Sequence, residues 1–106
     1  MMEQFSVYKN QGRNGQNYPY FITVQSGLLS HLSTRLVMPL ARKSETNSQV
    51  KSLTPQIKIG EYDFVVLTSM LTTTEVKNLS DRNFVRHAAE LRDEIVSAID
   101  LLLPGI

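Results

Sequence analysis

The 106-residue chain contains no cysteine and no tryptophan. Without cysteine there is no disulfide framework, no thiolate metal site and no cysteine nucleophile, and the composition suits a reducing cytoplasm. The N-terminus, Met1-Met2-Glu3-Gln4-Phe5, has neither the basic start nor the continuous apolar stretch of a secretory signal, and no later run reads as a membrane span. A cytoplasmic protein with no membrane partner is expected. Apolar residues make up 42% of the chain and charged residues 20%, far from the charge-rich, apolar-poor signature of disorder. A chain this short has room for one core, so one domain over residues 1–106 is expected.

The net charge of +1 conceals an uneven distribution. Residues 1–60 hold seven Lys/Arg against two acids, and residues 61–106 hold four against eight. Such asymmetry suggests two surfaces of opposite sign, although ordinary scatter of solvated charge also produces it.

Phe5 and Val7 alternate with polar neighbours, as Tyr20, Ile22 and Val24 alternate with Phe21 and Thr23, which is the period of strands. Between them the polar stretch from Gln11 to Asn17 holds an Asn-Gly pair that tolerates a hairpin tip. Arg35 to Leu40 is a third apolar run, in which Pro39 predicts a sheet edge or a bend because proline cannot donate to a ladder. Ala41 to Ser52 is polar and carries no fixed expectation beyond a surface excursion. Pro55–Ile59 and Tyr62–Met70, split by Gly60, predict a central hairpin whose second strand is buried on both faces. Thr72–Val76 is β-prone and predicts a short strand.

The last quarter changes period. Phe84, Ala88, Leu91, Ile95, Ala98 and Leu102 recur at steps of three and four, predicting one amphipathic helix. Ser80 is its expected N-cap and Asp81 complements the helix dipole. Pro104 ends it. The expected fold is mostly β with one C-terminal α-helix.

No reaction centre emerges. His31 and His87 are isolated, with no metal-binding spacing around either. There is no phosphate-cradling glycine loop and no Gly-x-Ser-x-Gly elbow. Asp93 and Glu94 are consecutive and diverge on a helix rather than flanking a substrate. The residues favour an interaction protein over an enzyme, with no catalytic residue, metal or cofactor expected. The chain ends Leu101-Leu102-Leu103-Pro104-Gly105-Ile106, apolar where termini are usually exposed. Part of this is core packing, and part suggests a homodimer interface or a partner surface.

Taken in order, several short stretches resemble the CcdB family of toxins: Gln4-Phe5 with Val7-Tyr8, Val24-Gln25-Ser26, Arg35-Leu36-Val37-Met38-Pro39-Leu40-Ala41, and Ile57-Lys58-Ile59-Gly60. Leu79-Ser80-Asp81-Arg82, Ala98-Ile99-Asp100-Leu101 and the terminal Gly105-Ile106 continue the likeness. The resemblance implies an SH3-like barrel of the CcdB/MazF type, a homodimer, and a toxin that traps DNA gyrase on cleaved DNA by binding its A subunit. It also implies a CcdA-type antitoxin that folds onto the toxin, and a toxin–antitoxin complex that binds operator DNA and represses its operon. Carried over by position, the gyrase-binding residues are Asp100, Leu103, Pro104, Gly105 and Ile106. Phe5, Ser26, Leu28 and Leu29 are candidates for the dimer interface or a second gyrase contact. Where the family's best-known members place a tryptophan before Gly-Ile, this chain has Pro104. Two alternatives remain open at this point: a MazF-like endoribonuclease, for which Arg35, His31 or Arg13 could serve, and a toxin homologue without gyrase activity.

Overall fold

The computed structural model describes residues 4–25 and 33–103. Among these, seven strands form one antiparallel sheet: β1 (Ser6–Lys9), β2 (Tyr20–Thr23), β3 (Thr34–Arg42), β4 (Gln56–Ile59), β5 (Tyr62–Val66), β6 (Thr72–Glu75) and β7 (Phe84–His87). One helix, α1 (Arg92–Leu102), follows them. The main path through the sheet is β4-β5-β3-β2-β1-β7, with β6 joined to β3 off this path. The fold is mostly β with a C-terminal helix, as expected, and the sheet is curled into a half-barrel.

β3 is the longest strand and the centre of the sheet. Along one edge it pairs with β2, from Tyr20↔Leu40 to Thr23↔Val37. Along the other it pairs first with β6, from Thr34↔Glu75 to Val37↔Thr72, and then with β5, from Leu40↔Val66 to Arg42↔Phe64. Its side chains alternate in environment, as a pleated strand requires. Met38 and Leu40 enter the main core with Val7, Ile22 and Ile95, all fully buried. Val37 points to the opposite face, where Tyr8, Leu79 and Phe21 form a smaller apolar cluster. Each fully buried aliphatic side chain contributes about 1.5–3 kcal/mol.

Pro39 does not mark an edge. Val24 N–H donates to Leu36 O (3.1 Å), and the alternation of an antiparallel ladder then turns the backbone of residue 39 away from β2. On that other side β6 has ended and β5 has yet to begin, so the missing N–H falls where no strand partner needs it. Pro39 O still accepts a bond from Leu67 N–H (2.9 Å).

The Asn-Gly segment lies in the loop joining β1 and β2, which pair as a hairpin. The β4–β5 hairpin turns at Gly60 and Glu61. Gly60 has φ +65°, and among described residues outside glycine only Phe5 has positive φ, which makes this a two-residue turn with glycine first. This hairpin ends the sheet rather than lying at its centre. β5 is shorter than the apolar run suggested: Tyr62 and Asp63 are exposed, Phe64 to Val66 are buried, and Thr68–Met70 forms a 3-10 turn. The excursion after β3 also has local structure. Asn47 Oδ1 accepts from Ser44 N–H (2.8 Å) and Asn47 Nδ2 donates to Arg42 O (2.8 Å).

The largest correction concerns the helix. It begins at Arg92, not near Ser80, whose side chain caps nothing. Residues 84–87 are extended because β1 needs a partner on its second edge, and β7 supplies it through Ser6↔His87, Val7↔Arg86 and Tyr8↔Phe84. Ala88, Leu91, Ile95 and Ala98 are buried in spite of this change of backbone. Asp93 and Glu94 occupy the true first turn, where they complement the dipole.

Two contacts complete the curl. Phe5, at φ 60°, donates its N–H to Thr23 O (2.6 Å) and accepts at its carbonyl from Ala88 N–H (2.7 Å), tying β2 to the approach of the helix. A left-handed backbone at a bulky residue costs about 1–3 kcal/mol, which the buried ring offsets. Arg86 of β7 donates to Lys58 O of β4 (3.1 Å), joining the two ends of the sheet path, and pairs with Glu90.

Ser80→Ala is expected to change stability by no more than about 0.5 kcal/mol, below the ~1 kcal/mol of a working N-cap. Ile95→Ala is expected to cost about 2–5 kcal/mol. Denaturant unfolding of the two variants tests the helix start.

Burial, and secondarily the charge of Asp81, raise the Tyr8 hydroxyl above its ordinary value near 10. The folded state therefore holds this proton more tightly than the unfolded chain. Stability from Tyr8 is complete below about pH 10 and falls as pH rises from there through the higher folded value. Alkaline unfolding should shift to higher pH in Tyr8→Phe, and an unchanged midpoint would refute the assignment.

Candidate functional site

α1 is held on one side and bare on the other. Ile95 and Ala98 are buried, with Ile99 partly so, and the helix lies across the 3-10 turns Lys51–Leu53 and Thr68–Met70. These turns are joined to each other, since Thr68 Oγ1 donates to Leu53 O. Leu103 N–H donates to Ile99 O (3.1 Å), which closes the last helical turn.

The outward side of the helix end is apolar. Leu101 and Leu103 are more than half exposed, at 56% and 51%, and Val96 is exposed as well. Met70 and Leu71, also exposed, leave the neighbouring turn. Between that turn and the helix end lies a cavity of about 290 Å³ lined by Met38, Thr68, Leu71, Ile99, Leu102 and Leu103. The acids Asp93, Glu94 and Asp100 are exposed along the same helix. Of these only Asp100 is near the tip, so the site offers a greasy end with one carboxylate beside it, an arrangement suited to binding a surface.

Of the residues carried over by resemblance, Asp100 and Leu103 lie at this end, both exposed. Pro104, Gly105 and Ile106 lie outside the described residues, as do Ser26, Leu28, Leu29 and His31. Phe5 has its ring in the core of its own chain, 4% exposed. Sequence reasoning missed Met70 and Leu71. The run from Tyr62 to Met70 reads as one strand, and only the 3-10 turn after Val66 carries these side chains to the helix end.

Catalytic alternatives find little geometric support. Ser6 Oγ lies 3.1 Å from His87 Nδ1, but Ser6 is fully buried between β2 and β7 and offers a substrate no access. Arg35 is 8% exposed, with its guanidinium donating to Thr34 O (2.9 Å), whereas Arg13 is exposed in the β1–β2 loop. Among the described residues no group of His, Cys, Asp or Glu could hold a metal ion, and no helix is long and apolar enough to cross a membrane.

A curled antiparallel sheet followed by a helix that exposes an apolar tip defines a small β-rich domain. The family model described as CcdB protein matches residues 4–105. The chain belongs to the CcdB family, toxins of toxin–antitoxin pairs that act on DNA gyrase.

Proposed function

We propose that this protein is a gyrase poison that acts by binding and not as an enzyme. In this reading it is a cytoplasmic homodimer that binds the DNA gyrase A subunit and traps the cleaved gyrase–DNA complex. A CcdA-type antitoxin neutralises it, and the two together bind operator DNA and repress their operon. The observation that carries the reading is the family match over nearly the whole chain. The exposed apolar tip of α1, with the Asp100 carboxylate beside it, supports it as the gyrase-facing surface. Asp100, Leu103, Pro104, Gly105 and Ile106 are its proposed contacts, and Ser26, Leu28 and Leu29 the proposed dimer or secondary contacts; Phe5, with its ring in the core of its own chain, is not among them. With Pro104 in place of the family's tryptophan, aliphatic packing by Leu103 and Ile106 replaces an aromatic anchor.

The test is incubation with gyrase and supercoiled plasmid, followed by denaturation of the enzyme: linear plasmid is the expected product. RNA fragments from a parallel incubation, with plasmid intact, would overturn the reading in favour of an endoribonuclease. Deleting Gly105 and Ile106 should abolish plasmid linearisation while changing stability by less than about 1 kcal/mol, because both residues follow the last helical turn. A truncated protein that melts normally and still traps gyrase would show that the contacts lie elsewhere.

Closed two-fold pairing is the commonest assembly of small proteins, and here it would use the proposed dimer residues and leave the tip of α1 free for gyrase. Sedimentation at micromolar concentration should give a species of twice the 12.0 kDa chain mass, and a monomer alone would refute the dimer.

A further inference from the structure

The pair Asn14-Gly15 reads in the sequence as a hairpin tip, and it lies in the loop between β1 and β2. The chain holds six asparagines, and this is the only one followed by glycine. An asparagine carboxamide is a weak electrophile at Cγ, and the nearest nucleophile is the backbone nitrogen of the next residue. A Cβ on that residue hinders the nitrogen's approach, and glycine has none. Asn14 is exposed, so water reaches its carboxamide.

The folded loop restrains this pair. To close a five-membered ring, Asn14 must turn about its Cα–C bond until the Gly15 nitrogen faces Cγ. Three backbone bonds oppose that turn. Gly15 N–H donates to Gly12 O (3.2 Å), and Asn14 O accepts from Asn17 N–H (3.2 Å) and Tyr18 N–H (2.9 Å). The side chain is held as well, because Asn10 Nδ2 donates to Asn14 Oδ1 (3.0 Å). Asn10 is itself fixed, donating to Tyr18 O (2.8 Å) and accepting from Gly12 N–H (2.9 Å). Asn10 is thus a clamp on the reactive pair, and bonds in an exposed loop open without unfolding of the core.

We propose that Asn14 is a site of slow, non-enzymatic conversion to aspartate and isoaspartate, gated by opening of the Asn10 clamp. In the opened loop the Gly15 nitrogen gives its proton to water and bonds to Asn14 Cγ. The carboxamide nitrogen takes up a proton and leaves as ammonia, and a cyclic imide remains. Water then adds at one of the two imide carbonyls. Addition at Cγ breaks the bond from Cγ to the Gly15 nitrogen and gives aspartate. Addition at the former backbone carbonyl breaks the other carbon–nitrogen bond and gives isoaspartate, in which the main chain runs through Cβ and Cγ. In balance one water enters and one ammonia leaves, with no oxidant or reductant. Either product places a carboxylate in a loop whose one charged residue from position 10 to 19 is Arg13. Isoaspartate also removes the carbonyl that Asn17 and Tyr18 use, so the loop cannot return to its original bonds.

The experiment holds the full-length protein for several weeks at mildly alkaline pH, folded and in guanidinium chloride. Intact mass is followed, with peptide mapping to locate the change and an isoaspartate-specific methyltransferase to identify the product. The mass should rise by about 1 Da, at Asn14 before any other asparagine and with isoaspartate in excess of aspartate. The folded protein should react at least about fivefold more slowly than the unfolded chain. Asn10→Ala should raise the folded rate about threefold or more and leave the rate in guanidinium unchanged. Asn14→Gln should remove the early mass gain in both states, because a six-membered ring closes far more slowly. Earlier conversion of another asparagine in the folded protein would overturn the proposal, as would aspartate as the sole product. So would a folded protein whose Asn14 stays intact, equal rates in the two states, or indifference to Asn10→Ala in a variant that melts with the parent. If that variant melts below the parent, the folded and unfolded rates of the parent decide.

Discussion

A strand has two edges, and in this protein three partners share the edges of one strand. β2 takes one side of β3, and β6 and β5 divide the other. That division sets the rest of the fold. Proline is tolerated at residue 39 because the change of partner leaves its ring opposite no strand. The chain must also leave β5 at Val66 and return to the same edge of β3 at Thr72, and the short crossing between them carries Met70 and Leu71 to the end of α1. The apolar surface at the helix tip is thus made by two segments, brought together by the hydrogen-bonding demands of a third.

Local signals in the sequence reached as far as local physics determines structure. The Gly60 turn, the strand of threonines at 72–75 and the alternation through Val7 and Ile22 were readable because each depends on near neighbours. The start of the helix was not. Phe84 stands four residues before Ala88 and completes a helical spacing, yet its backbone bonds belong to β1, almost eighty residues away. Periodicity reports which side chains face the core, and Ala88, Leu91, Ile95 and Ala98 do face it. It cannot report that the backbone beneath Phe84 is needed elsewhere.

The helix tip was visible as an apolar end to the sequence, and Leu101 and Leu103 are indeed exposed there. What the sequence withheld was the companion surface from the Thr68–Met70 turn, because a run of apolar residues does not announce where a strand stops. The division of labour along α1 follows from its anchoring. Ile95 and Ala98 fix the helix against the sheet, so its outer residues can differ in chemistry without disturbing the core. The family match runs over residues 4–105 and so includes this tip, in a chain that has no tryptophan.

The Arg86 bridge has a consequence for the protein's behaviour in a crowded solution. A sheet that stops short of closing leaves two rows of backbone groups able to recruit strands from other molecules, which is a common beginning of aggregation. Here the terminal strands β4 and β7 are drawn toward each other by a guanidinium that occupies a carbonyl on the opposite rim. The same side chain pairs with Glu90. One long charged residue thereby joins the rims of an unfinished barrel at a single point, without the further ladder that full closure would require.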